Sequence, residues 1–275
     1  LFLVKNQGTE LEKRDVGMSI TQFIGGDFHP TDSRFLFGGT QDNGTMRSPD
    51  ANDFELVLYG DGGYGYVHPT KPNIVWTTQE LGKLFRSDDH GRTWYRVVGD
   101  MPADGSLFYT PYDMDRNDPN TLFMATYRVW RTHDAGLNWK RLQSGLFPTG
   151  TGSYYYITAF DIADYDSDIL LAGGPLGSAA ISTDRGEEWE QIGDGLPEGY
   201  VSSIRSFEPD VIYVAMSTFG EDKVAKSTDN GQTWTSINGN LPDIPAKDIW
   251  ELEGNLFLAT DLGVFASEDG GTTWL

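Results

Sequence analysis

The chain contains no cysteine. That excludes a disulfide scaffold, a cysteine-ligated zinc site and a thiol nucleophile, but it assigns no compartment. Long apolar runs are missing as well. Stretches such as Val211–Met216 and Ile169–Ala172 are far too short to cross a bilayer, so no transmembrane segment is expected. Basic residues are scarce: 20 Lys and Arg stand against 41 Asp and Glu, for a formal net charge of −21. Such a surface repels phosphate backbones and anionic membranes, which sets nucleic acid aside as a partner. No stretch carries a sustained 3.6-residue apolar period, so helices are expected to be nearly absent. The chain opens on Leu1 with no signal-like segment, and is read as part of a longer or processed protein.

Glycine and aromatics are abundant, with 33 Gly, 8 Trp, 13 Tyr and 15 Phe in 275 residues. Much of that content belongs to a repeat. The pattern Ser/Thr-x-Asp-x-Gly-x-Thr-Trp runs from Ser87 to Trp94, and returns ending at Trp139, Trp189, Trp234 and Trp274. Two worn copies come first, Ser48 to Phe54 and Val4 to Leu11. The Asp positions are Asn6, Asp50, Asp89, Asp134, Asp184, Asp229 and Asp269, between 39 and 50 residues apart. Mechanically this is a hairpin turn. The carboxylate is expected to accept backbone N–H groups two or three residues on, and Gly to take a positive φ. Each Trp opens the next strand and packs its ring between neighbouring units. About ten residues upstream lies a second hairpin, flanked by strand-like pairs such as Ile74–Trp76 with Lys83–Phe85. Four short strands every 40–50 residues indicate an all-β β-propeller.

These boxes resemble the Asp-box, or BNR, repeats of sialidases, family 74 xyloglucanases and sortilin-type receptors. The resemblance covers almost the whole chain and speaks to fold more than to function. The segments Gly38–Thr45, Gly60–Tyr64 and Thr260–Phe265 are similar to exported BNR-repeat proteins of glycosyl-hydrolase-like character. It implies an extracellular, periplasmic or cell-surface location. Residues 1–275 then form one propeller domain of four-stranded blades. The ends leave two options. One is a seven-blade phase with an incomplete blade. The other is six blades in which Glu10–Arg14 supplies the last outer strand and closes the ring.

Loops between strands two and three, and between blades, share the face opposite the boxes. That loop face is expected to gather Gln41, Asn43, Asp61, Tyr64, Glu80, Tyr127, Arg128, Tyr154, Phe219 and Asp222 as ligand-binding candidates, beside Gln79, Tyr109, Tyr155 and Glu221. Carboxylates mixed with aromatic rings suit sugar hydroxyls and C–H faces, and suit a basic peptide equally. The catalytic candidates are Asp42 and Asp261. Their turns, Thr40–Gly44 and Thr260–Gly263, resemble the Thr-Asp-x-Gly-Gly turns that carry the catalytic carboxylates of family 74. By that resemblance Asp42 would be the base and Asp261 the acid of an inverting hydrolase acting on a β-glucan or xyloglucan. Gln41 is an insertion relative to that pattern, and family 74 places its two Asp on separate propellers. Asp in a tight turn also caps the turn without further function.

A sialidase needs three arginines on one carboxylate. Arg128 and Arg205 are candidates and a third is missing. Arg205, alternating along Val201–Phe207, also reads as an inter-blade ion pair. The runs Asp113-x-Asp115-x-Asn117 and Asp164-x-Asp166-x-Asp168 begin like calcium loops but lack the later Gly and Glu, which leaves room for an adventitious Ca2+ only. No cofactor is expected. His29 and His68 each precede Pro in equivalent turns. Two functions follow: a non-catalytic module binding a protein subunit or an extended glycan within a larger exported assembly, or a glycoside hydrolase.

Overall fold

The computed structural model describes residues 2–5, 10–13, 21–50, 53–97, 105–142, 145–152 and 154–275. A two-stranded hairpin, β1 (Phe2–Lys5) and β2 (Glu10–Lys13), precedes a ring of six small antiparallel sheets. Blade one holds β3 (Phe23–Phe28), β4 (Leu36–Thr40), β5 (Gly44–Ser48) and β6 (Glu55–Leu58). Blade two holds β7 (Gly62–Val67), β8 (Val75–Gln79), β9 (Lys83–Ser87) and β10 (Tyr95–Arg96). Blade three holds β11 (Tyr112–Met114), β12 (Leu122–Ala125), β13 (Val129–Thr132) and β14 (Lys140–Arg141). A small pair follows, β15 (Phe147–Pro148) with β16 (Tyr154–Tyr155). Blade four holds β17 (Ala159–Ile162), β18 (Leu170–Gly173), β19 (Ala179–Ser182) and β20 (Glu190–Gln191). Blade five holds β21 (Tyr200–Glu208), β22 (Val211–Ser217), β23 (Val224–Ser227) and β24 (Thr235–Ser236). Blade six holds β25 (Ala246–Leu252), β26 (Asn255–Thr260) and β27 (Gly263–Ser267), and Leu275 exchanges both backbone hydrogen bonds with Ala266 at 2.9 Å, where a fourth strand begins. The only helical turn among the described residues is Glu80–Gly82.

The middle strands are buried on both faces, because each blade packs against the one before and the one after. That is why β12, β18 and most of β22 read as continuous apolar runs, while the outermost strands of blades two to five are two exposed residues each. Buried clusters seal consecutive blades. Trp76, Leu84 and Val97 of blade two meet Tyr112 and Trp139 of blade three. Leu171 and Ile192 of blade four meet Val201 and Ile204 of blade five.

The repeated turn is built as its residue types require: Asp89 Oδ1 accepts the N–H three residues on, from Arg92 at 2.9 Å, and the boxes add a bond four residues on. The Ser227 hydroxyl donates to Asp229 Oδ1 at 2.7 Å and accepts the Gly231 N–H at 2.8 Å. Asp229 Oδ1 then accepts the N–H of Thr233, four residues on, at 2.8 Å. The same bonds recur at Asp89, Asp134, Asp184 and Asp269. The glycines Gly91, Gly136, Gly186, Gly231 and Gly271 all take positive φ. So do the residues before them, among them Ala135 and Asn230. The N–H of that preceding residue docks on the first hairpin of its own blade, as in Ala135 N to Asn120 O at 2.8 Å, which offsets the strain.

The N-terminal strand does not close the ring as expected. β2 pairs with β1 in full register, Phe2 opposite Lys13 and Lys5 opposite Glu10, and among the described residues β27 has no strand of the hairpin beside it. The outer edge of β27 is already taken at Ala266 by Leu275, whose N–H and C=O bond both backbone groups of Ala266. Arg14 and the worn turn around Asn6 lie outside the described residues.

Candidate functional site

Strand direction alternates within each blade, so the hairpins between second and third strands lie at the end opposite the repeated turns. Six such tips ring the loop face, and the sequence-derived candidates divide among them.

The first group spans blades one to three. Asp42 sits at φ 64° and donates its N–H to Asp61 Oδ1 at 2.9 Å. The Thr40 hydroxyl donates to Gly44 O at 2.8 Å, and Asn43 reaches Gln41 O at 3.3 Å. Gln79 donates to the carbonyl of Tyr59, and Glu80 pairs with Lys83. Burial pushes the Tyr109 phenol up, helped by the charges of Asp61, Asp42 and Glu80. Among the described residues, Tyr109 Oη and Glu80 Oε2 are both buried without a hydrogen-bond partner.

The second group is aromatic. The Tyr127 and Tyr154 rings lie near-parallel at 12° with centroids 6.3 Å apart, and the Arg128 guanidinium sits 4.5 Å from the Tyr127 centroid. Tyr155 is part of β16, beside them in sequence. Blade five forms the third group. Phe219 is exposed, and Glu221 and Asp222 line a shallow depression of about 410 Å³. The Lys223 ammonium, buried beneath it, pairs with Asp243 at 2.8 Å and holds that carboxyl below the usual range. At blade six, Asp261 pairs with Lys247 at 3.3 Å, and the Thr260 hydroxyl donates to Gly263 O at 2.8 Å. The turns of Asp42 and Asp261 therefore share one Thr-to-Gly bond, while each aspartate has a different neighbour.

Tyr64 lies elsewhere, on the innermost strand of blade two, lining the central channel with Tyr66, Tyr112 and Arg205. Burial is the main cause that pushes its phenol up to about 12. The channel widens toward the face of the repeated turns into a cavity of about 650 Å³ that all six inner strands line. Its carboxylates were not singled out as one set by sequence reasoning. Asp27 accepts the N–H of Phe28 at 2.9 Å and of Val67 in the next blade at 3.0 Å. Asp113 does the same with Met114 at 2.8 Å and Ile162 at 3.1 Å. Asp161 accepts Ser206 N at 3.2 Å. Tyr66 substitutes in blade two, donating to Tyr112 O at 3.2 Å. Inner strands of neighbouring blades belong to different sheets, so these amides have no ladder partner, and a side chain from the blade before supplies one.

Arg205 joins three blades. Its Nη1 lies 2.8 Å from Asp161 of blade four and its Nη2 3.4 Å from Asp248 of blade six, with the guanidinium 5.3 Å from the Trp250 centroid. The inter-blade ion pair is thus realised. Burial nevertheless pushes Asp161 up to about 7, against the pull of Arg205, and raises Asp113 likewise. The calcium-like runs are closed by protein groups. Asp115 accepts the N–H of Asn117 and Asp118 and pairs with Arg185 at 2.7 Å. Asp166 caps Asp168 N at 3.0 Å. Among the described residues no three acidic or histidine side chains converge as a metal site.

The fold and this channel define a six-bladed β-propeller. No family model matches the chain. A curated relative, xyloglucanase Xgh74A of Acetivibrio thermocellus, is 26% identical over 191 residues, covering 55% of this chain and 22% of its own length. Vacuolar protein sorting/targeting protein 10 of Komagataella phaffii is 25% identical over 180 residues, covering 56% of this chain and 11% of its own. The chain thus spans a quarter or less of either relative. Among solved structures, the GH74 xyloglucanase of Xanthomonas campestris superposes with a TM-score of 0.72 at 17% identity, over 93% of this chain and 45% of that one. YCF48 bound to D1 peptide superposes with a TM-score of 0.65 at 20% identity, over 90% of this chain and 79% of that one. These likenesses place the chain in fold beside both a sugar-cleaving and a peptide-bound propeller.

Proposed function

We propose that this propeller is a recognition and scaffolding module that docks a protein partner on its loop face, as one domain of a larger exported assembly. One observation carries the reading. Four of the six loop-face hairpin tips end in an exposed apolar side chain: Leu81 (60% exposed), Leu176 (59%), Phe219 (66%) and Leu262 (72%). Leu81 and Leu176 also stand in the left-handed region, each at φ 58°. A β-carbon there costs about 1–2 kcal/mol, and Asn or Gly would suit both the backbone and the solvent better. A ring of such side chains at one end of the molecule suits a partner that covers them. The peptide-bound YCF48 structure is in keeping with it.

A photo-reactive benzoylphenylalanine at position 219, and separately at 81, tests this in extract from the source cells. One defined adduct common to both sites, lost when Leu176 and Leu262 become Asn, supports the reading. Failure of both probes to form any adduct sinks it.

The second reading is the inverting glycoside hydrolase, favoured by the shared Thr-to-Gly architecture of the turns that expose Asp42 and Asp261. Asp42 would act as base and Asp261 as acid, and the pair would need to stand about 6.5–9.5 Å apart across the bond. Hydrolysis of xyloglucan by the wild type and its loss in both Asp42→Asn and Asp261→Asn would establish it.

A further inference from the structure

Five seams of the ring are sealed by buried apolar clusters, each joining blades consecutive in the chain. Among the described residues no such cluster joins blade six to blade one. The surfaces at that seam are apolar all the same. Blade one presents Phe23, Phe28 and Phe54 around a groove of about 270 Å³ floored by Leu36 and Phe37. Blade six presents Leu252 and Val264, both exposed, while the Trp250 ring packs on Phe207 of blade five.

Phe54 shows what belongs there. It stands where later repeats carry Trp, and those rings reach back to the blade before. Trp94 stacks on Phe37 at 5.6 Å, Trp139 donates to Val97 O at 3.0 Å, and Trp274 donates to Ile237 O at 3.0 Å. Phe54 remains 46% exposed, and its ring neighbour is Phe23 of its own blade, 5.6 Å away. What precedes blade one in the chain is the hairpin β1–β2. Its strands flank a worn copy of the repeated turn, so they are the third and fourth strands of a repeat without its first and second. Among the described residues they pair only with each other. The connection to blade one, residues 14–22, is as long as the one between blades five and six, residues 237–245.

We infer that the hairpin Phe2–Lys13 docks on the apolar face of blade one as the outer half of a split blade, with β2 set against Phe54 in the seam between blades six and one. The face then has the occupant that every other blade takes from its chain predecessor.

The absence of cysteine makes the test clean. Leu56→Cys is combined with Leu11→Cys, and separately with its neighbour Glu12→Cys, because successive positions of a strand serve opposite faces. Oxidation is expected to form an intramolecular disulfide in one pair and not in the other. Deleting residues 1–13 is expected to speed amide exchange in Phe23–Phe28 and Glu55–Leu58 by about tenfold or more, while Ala159–Gln191 is unchanged. Exchange unaltered by the deletion, or disulfides forming only between chains, overturns the inference. Where neither cysteine pair oxidises or folds, the exchange comparison decides alone.

Discussion

Replacing Arg205 by Met tests whether the channel is held by charge. The guanidinium is 2.8 Å from Asp161 and 3.4 Å from Asp248, and no other basic side chain touches either in the described residues. Removing it leaves Asp161 with one N–H donor, Ser206, beside the equally buried Asp113. Breaking a buried pair on one side costs about 3–5 kcal/mol, since the remaining charge has lost its partner. For a chain of this size that lowers Tm by roughly 10 °C. The pH dependence is distinctive. Asp161 is pushed up to about 7 in the folded protein, whereas an unfolded Asp titrates near ~3.9. The folded state therefore binds this proton more tightly, and stability rises as pH falls from above 7 toward 4. Without Arg205 the carboxyl rises further, so the penalty should be largest at pH 8 and shrink by pH 5, as Asp161 and Asp113 become neutral. Urea unfolding at both pH values measures it. A penalty under about 1 kcal/mol, or one equal at pH 8 and pH 5, would refute the reasoning, because a loss of packing alone does not titrate. Arg205→Lys keeps the charge without the planar fork and should fall between the two.

Ser227→Ala should cost about 1–3 kcal/mol in denaturant midpoint analysis, because the Gly231 N–H is left buried and unpaired; a neutral result would contradict the turn geometry. Leu81→Asn should raise stability by about 1 kcal/mol by relieving the left-handed leucine, while weakening any partner held on the loop face. A drop in stability would instead make Leu81 a packing residue. The turn carboxylates behave oppositely to Asp161. Asp89, Asp184 and Asp269 are held low chiefly by the backbone N–H four residues on, and Asp229 by the Thr233 hydroxyl and N–H. Their contribution is complete above the unfolded carboxyl range near ~3.9 and is lost as pH falls below it toward their folded values. Tryptophan fluorescence should show cooperative acid unfolding below about pH 4; its absence down to pH 2 would argue that the turns contribute little.

The repeated turn was legible because its bonds are local. Ser227, Asp229, Gly231 and Thr233 lie within seven residues, so residue type and spacing alone determine the hairpin, its positive-φ glycine and, through the 39–50-residue period, the propeller. Arg205 was half legible: a lone cation alternating into an inner strand announces a partner, but not which blades supply it. The rest depended on closure of the ring. Asp27 and Val67 are 40 residues apart and Asp113 and Ile162 are 49 apart, and nothing local relates them. The run from Asp113 to Asn117 even imitated a calcium loop, because a short acidic pattern does not reveal that Ser167 and Arg185 fold back onto Asp115. Likewise the distribution of Asp42, Tyr127, Phe219 and Asp261 over separate tips follows from blade geometry, since shared loop type places residues on one face and the ring decides which blades are neighbours. The amino-acid sequence by itself determined the unit and its repetition, which are matters of short-range hydrogen bonding and strand periodicity. Only the tertiary structure decided which side chains bridge the blades, because those contacts exist only once the sheets stand side by side around an axis.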